Sequence, residues 1–374
     1  MFTGIDRRMR THKTSAWPLA LVYLGLVVYA SLYPFGPWRD QGNDPWVFLL
    51  APWPKYWTGF DVVSNVLGYI PLGFFLALSA LRSGRGRWSF ALAVVPSSVL
   101  SLALETLQVY LPSRVPSNLD LLLNVAGAVT GAALAWGLER LGWLLRWSRF
   151  RDNWFVEEAR GALVLLALWP VALLFPARVP FGLGQVMERL EAALARLLAD
   201  SPFLEWLPVR EIELQPLLPV TEWLCVLMGL LIPVLLGYCV ITQGVRRFWF
   251  VLVLVAVGVG VTALSTALSF APEHAWVWLT PPVQKAVLTA IVLALLLLRL
   301  PERAAAALAV LALGVYLSLI NQTNSGPYFE QTLFLWEQGQ FIRFHGLAQW
   351  LGWLWPFAAL FYVLSRIWGR GREP

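Results

Sequence analysis

The sequence predicts an all-α, polytopic bundle of membrane-spanning helices, with about ten transmembrane helices and both termini cytoplasmic. Three observations point that way. Of 374 residues, 58% are apolar and only 13% charged, whereas a soluble globular chain carries about 25% charge. Apolar runs of about 17–23 residues recur along the whole length, each able to cross ~30 Å of hydrocarbon as a helix. The 21 Trp residues cluster near the ends of these runs, where amphipathic rings sit at headgroup depth.

Taken in order, residues 1–16 form a basic amino terminus with Arg7, Arg8, Arg10 and Lys13. The run from Trp17 to Tyr33 has some character of a signal peptide, with small residues near Val28 and Ala30. Retaining it as the first span gives the better topology. Residues 36–59, with Trp38, Trp46, Trp53 and Trp57, suit a loop in the headgroup layer. Further spans are expected near 61–81, 90–110, 119–138, 159–175, 219–241, 248–270, 283–299, 304–320 and 347–366. Residues 17–142 thus form a first four-helix transmembrane domain. A cytoplasmic linker, 143–158, joins it to a second domain of about six helices, 159–366, with a tail at 367–374. With the amino terminus inside, 19 of the 28 Lys and Arg fall on inner segments and every short inner loop is basic. That accounts for the net charge of +6 without nucleic acid as a partner. Cys225 and Cys239 lie fourteen positions apart in one span. That separation is about 21 Å of helix, too far for a disulfide.

The long loop 177–218 is expected outside, with an amphipathic segment at 185–199. Val186, Met187, Leu190, Leu194, Leu197 and Leu198 share one helical face, with Glu188, Arg189, Glu191 and Arg196 mainly on the other. Such a helix lies on the membrane or caps the bundle; a lid over an outward site is the rival.

The chemistry concentrates between Glu105 and Gly131. Charge kept beside hydrocarbon costs about 2.5–3.5 kcal/mol per group at a helix centre, so such groups face partners or a watery cavity. In the expected topology Asp61, Glu105, Arg114 and Asp120 arrive together near the outer interface, with Asn65, Gln108 and Asn124 beside them. An internal echo, D-x3-N-x2-G, places Asp61, Asn65 and Gly68 on one span and Asp120, Asn124 and Gly127 on another. Positions i, i+4 and i+7 share a face, and glycine there lets a second backbone approach. The pattern reads as a parallel two-span repeat. Ser97, Ser101, Glu105 and Gln108 form a polar line along the third span, and Pro71, Gly73 and Pro96 are candidate breaks in helix regularity. These seven polar residues either tie helices together or form a binding cluster. Three carboxylates against one arginine favour a shared proton or a cationic ligand, while Arg114 suits a phosphate or carboxylate.

Those residues are what make the chain resemble the VanZ-like membrane family, named for teicoplanin resistance. The likeness spans about residues 17–142. It rests on Asp61, Asn65, Gly68, Pro71 and Gly73, then Glu105 and Gln108, then Arg114, Asp120, Asn124 and Gly127. It implies a multi-pass protein of the bacterial cytoplasmic membrane that lowers susceptibility to lipid-bearing glycopeptides. It supplies no catalytic residues, and this chain departs from it by six further spans.

Elsewhere the signals are weaker. Thr262, Ser265, Thr266 and Ser269 form a hydroxyl stripe, and Asn321, Gln322, Thr323 and Asn324 follow the ninth span; both suit helix packing more than a cavity. His274 beside Glu273, and His345, make no metal spacing. No nucleotide-loop, dinucleotide or hydrolase motif is present, and no cofactor is implied. The expectation is a protein acting at the outer face on a lipid-linked glycan or peptidoglycan precursor, with membrane lipid and envelope-synthesis proteins as partners. A transporter or flippase, and a non-enzymatic scaffold, are the alternatives.

Overall fold

The computed structural model describes residues 16–369, apart from 34, 43, 55–56, 157, 176, 178, 200, 204–217, 271 and 323–341. Among the described residues the chain is helical throughout, with an isolated bridge between Phe155 and Ile241 and no strand. Seven helices are long and apolar enough to cross a membrane by length and composition. They are α3 (Gly59–Arg82), α4 (Ser89–Gln108), α5 (Asn118–Arg140), α9 (Pro219–Tyr238), α10 (Val245–Phe270), α12 (Glu302–Ile320) and α13 (Ile342–Gly369). Three further apolar helices occupy expected spans but are shorter: α1 (Ala16–Leu32), α7 (Arg160–Leu173) and α11 (Pro281–Leu296). Their 17, 14 and 16 residues rise only about 21–26 Å, less than the ~30 Å core. Seven helices, rather than the expected ten, therefore meet the length criterion.

By contact the chain divides into two compact units, Met1–Arg151 and Asp152–Pro374. The first is built on α3 and α5, which run parallel with backbones almost touching. A Cβ at Gly131 would collide with the Ile70 carbonyl, one at Gly127 with the Val66 carbonyl, and one at Gly73 with the Ala128 carbonyl. Between lipid-facing helices, where burying apolar surface gains little, such close approach supplies the packing energy. Gly68 does not share this role: a Cβ there would meet nothing. The contact on the α3 side falls five residues later, at Gly73. Pro71 and Pro96 do not break their helices, which continue through both. α1 and α4 close the unit around Val27, Tyr69, Leu72, Leu104 and Leu111. The expected linker 143–158 is helical over most of its length, as α6 (Trp143–Trp154).

The second unit is organised around α9, buried along almost its whole length from Cys225 to Tyr238. α11 and α12 pack on α9, and α13 packs on α7 and α12. The segment 177–218, expected as an outer loop, begins packed into the helix bundle: Val179, Phe181, Gly182, Leu183 and Gly184 are buried. A buried non-helical segment must satisfy its backbone groups. Here the Tyr316 hydroxyl donates to the Phe181 and Leu183 carbonyls at 3.1 and 2.8 Å, and Gly184 N–H donates to the Gly352 carbonyl at 2.7 Å. Phe181 holds φ at +61°, in the left-handed region that costs a non-glycine residue about 1–3 kcal/mol. Its ring stacks on Trp169 at 6.4 Å, and its Cβ and carbonyl fit against Gly229. Asn321 then accepts from the Val186 and Met187 N–H groups at 3.1 and 3.0 Å, fixing the start of α8 (Met187–Leu198). Leu190, Leu194 and Leu197 on α8 are exposed.

Arg247, which the sequence offers only as an inner-loop charge, is 0% exposed. Its guanidinium donates to the carbonyls of Ile241, Leu298, Leu300 and Tyr238 at 2.6–3.1 Å. It therefore locks the carboxyl ends of α9 and α11 together. In the hydroxyl stripe of α10, Ser265 bonds the Leu174 carbonyl at 2.8 Å, while Thr266 and Ser269 bond back along their own helix. Cys225 and Cys239 are both free and buried.

Candidate functional site

One end of the first unit is made by the last turn of α1, the first of α3, the last of α4 and the first of α5. All seven sequence-predicted residues belong to these helices or to the turn between α4 and α5. The two echoed carboxylates are placed there by helix capping. Thr58 is the N-cap of α3 and Ser117 that of α5, so Asp61 and Asp120 both stand at the third helical position. At α3 the box is complete: the Thr58 N–H and hydroxyl donate to the Asp61 carboxylate at 3.0 and 2.8 Å, and the Asp61 N–H donates back at 3.2 Å. At α5 Ser117 still accepts from the Leu119 and Asp120 N–H groups. The Asp120 carboxylate instead accepts from the Asn65 side-chain amide at 2.8 Å, which ties α5 to α3. The shared signal is therefore wider than D-x3-N-x2-G: it starts at a Ser or Thr three residues earlier, a spacing that identifies both caps in the sequence.

The other members join loops to helix ends. Glu105, 4% exposed, accepts from the Ser117 N–H at 2.9 Å and so anchors the entrance to α5. The buried Gln108 amide donates to the Ser31 carbonyl at 3.0 Å. Arg114 donates to the Tyr33 carbonyl at 2.7 and 3.2 Å and to the Ala30 carbonyl at 3.2 Å. Those carbonyls terminate α1, where the helix dipole is negative and a guanidinium is favoured. One turn deeper, the Asn124 amide donates to the Ser101 hydroxyl at 3.0 Å. Asn65 with Asp120, and Glu105 with the start of α5, are thus brought together directly. Asp61 is engaged by its own cap, and Arg114 and Gln108 by α1.

Two buried polar atoms are left over. The Tyr69 hydroxyl and the Asn124 amide oxygen make no hydrogen bond of normal geometry, although the Ser101 side chain stands beside both residues. A buried unmade hydrogen bond costs about 1–3 kcal/mol. Sequence reading missed Tyr69, because a tyrosine within an apolar run reads as core. Deeper along α4 the polar line closes on itself: Ser97 and Ser98 donate to the carbonyls of Ala93 and Val94, both at 2.8 Å. No group of three His, Cys, Asp or Glu side chains suited to a metal occurs among the described residues. The site thus gathers carboxylate, amide and hydroxyl groups and one guanidinium at one end of the unit.

Comparison with known proteins isolates this same part of the chain. Residues 9–143 match the family described as VanZ/LLP1, and all seven polar residues fall within that match. It covers 135 of the 374 residues. No curated protein and no solved structure matches the chain. Residues 9–143 are thus similar to the VanZ/LLP1 family, in a chain whose described residues include seven helices long and apolar enough to cross a membrane.

Proposed function

From a VanZ/LLP1 segment whose polar side chains converge at one helix-bundle end, we propose that the protein binds the polar head of a cell-envelope lipid at that end. The ligand class is a lipid-linked glycan or peptidoglycan precursor, met at the outer face of the bacterial cytoplasmic membrane. The observation that carries the reading is the pair of unmet buried atoms, on Tyr69 and Asn124, one turn below Glu105 and Asp120. A sugar-rich headgroup supplies donors and acceptors of the kind these atoms lack. Asp120 and Glu105 add acceptor oxygens at this end, and Arg114 adds a guanidinium. Teicoplanin susceptibility is the phenotype to measure, because the family that residues 9–143 resemble is named for resistance to that drug.

A strain lacking the gene is expected to show altered lipid-linked precursor levels and altered teicoplanin susceptibility. Complementation by the wild-type chain should restore both, and complementation by Asn124→Leu should not. Unchanged precursors and susceptibility in the deletion strain would overturn the reading. In purified protein, a photoreactive precursor analogue should label α4 or α5, with labelling reduced in Tyr69→Phe.

A further inference from the structure

The opposite end of the first unit has a different character. It gathers the carboxyl ends of α3 and α5, the amino end of α4 and the helix α6. Arg85 and Arg87 stand on the α3–α4 connection, Arg140 ends α5, and Arg146, Arg149 and Arg151 lie on α6, against two acids on the same elements, Glu139 and Asp152. Aromatic rings are interleaved with the cations. The Arg140 guanidinium lies 3.8 Å from the centre of the Trp136 ring, Arg87 lies 5.6 Å from Trp88, and Arg146 lies 5.6 Å from Trp143.

α6 carries this pattern furthest. Trp143, Trp147 and Phe150 recur at i, i+4 and i+7, so they share one stripe. All three are exposed, and Trp147 stacks on Phe150 at 5.4 Å. Arg146 and Arg149 flank the stripe and are exposed as well. The other side of the helix is held down: Arg82, at the end of α3, donates to the Leu144 carbonyl at 2.6 Å and to the Ser148 hydroxyl. The helix is therefore docked along one face and presents aromatic rings and guanidinium groups on the rest.

We propose that α6 and the neighbouring arginines form a docking surface for anionic phospholipid, with the rings in the acyl–headgroup boundary and the guanidinium groups on headgroup phosphates. The charge is complementary to anionic headgroups, and guanidinium meets phosphate with two parallel donors. An amphipathic helix with Arg on its polar side and Trp and Phe on its apolar side lies in the interfacial plane. Each juxtamembrane arginine strengthens anionic-lipid attraction by about fivefold. This surface is separate from the polar end and does not depend on its ligand.

The test uses the full chain in nanodiscs of phosphatidylcholine with phosphatidylglycerol, with retained lipid counted by native mass spectrometry. The wild-type chain is expected to retain phosphatidylglycerol in preference to phosphatidylcholine. Arg146→Gln/Arg149→Gln should weaken that retention by about 25-fold with the helical circular dichroism unchanged. A second measurement needs no variant: raising NaCl from about 50 to about 500 mM should erode the preference in the wild-type chain, because exposed charges are screened. Equal retention of both lipids by the wild-type chain would overturn the proposal. So would a preference indifferent to salt, or one left intact by the double substitution.

Discussion

The first unit holds its helices together through backbone, the second through side chains. In the first, α3 and α5 meet at glycines, and only 22% of the apolar window of α3 is buried. In the second, 67% of the corresponding window of α9 is buried, and its neighbours pack around it with Trp169, Phe181 and Tyr316. Polar ties differ in the same way. In the first unit they collect at one end and leave two buried atoms unmet. In the second, Arg247, Tyr316 and Asn321 each serve several carbonyls or amides and stabilise the path of the chain, while the Trp169 indole N–H and the Thr262 hydroxyl are buried without a hydrogen-bond partner. The difference teaches where to look for function: the unit with an acceptor-rich end is also the one that matches a family.

The largest effect should come from filling the contact between α3 and α5. Gly131→Leu places a side chain against the Ile70 carbonyl and is expected to cost about 3 kcal/mol or more, read by denaturant unfolding in detergent. Gly68→Ala, where nothing lies close, should stay within about 0.5 kcal/mol. Equal effects at the two glycines would break the backbone-contact account.

Next comes Arg247→Met, which strands four carbonyls and is expected to cost about 3 kcal/mol. The buried thiols of Cys225 and Cys239 report it, because maleimide reaches them only when the second unit opens. Labelling should accelerate in Arg247→Met and hold its wild-type rate in Gly131→Leu. Acceleration by both would mean that the two units unfold as one.

The smallest effects separate the two echoed carboxylates. Thr58→Ala and Asp61→Ala should each cost about 1 kcal/mol, the worth of a cap. The double variant should cost no more than either alone, because they share one interaction. Asp120→Ala should exceed both, by about 1 kcal/mol, since it also strands the Asn65 amide. If Asp61→Ala proved the more damaging, Asp61 would hold more than the helix start.

Much of this was legible in the sequence, for identifiable reasons. Apolar runs set helix positions because a backbone in hydrocarbon must bond to itself. The expected spans accordingly coincide with helices, down to 219–241 against Pro219–Tyr238. The amphipathic segment 185–199 encloses α8 because its two faces differ so sharply. The polar residues stood out because charge is scarce in such a chain. What they bond to was not legible. Asp61 and Asp120 look alike in sequence, yet one closes a cap and the other crosses to a second helix. Gly68 and Gly127 occupy matching positions, yet only Gly127 touches a neighbour. Nothing local distinguishes Arg247 from Arg246, although burial separates their roles completely.

Sequence alone determined which segments are helical and how the polar residues are spaced along them, because backbone hydrogen bonding and the cost of desolvating charge act locally. Tertiary structure alone decided which helix faces meet, which carbonyls Arg114 and Arg247 serve, and that residues 179–184 turn inward. Those outcomes depend on partners scores of residues away, and a close approach such as Gly131 against Ile70 exists only once both helices are in place.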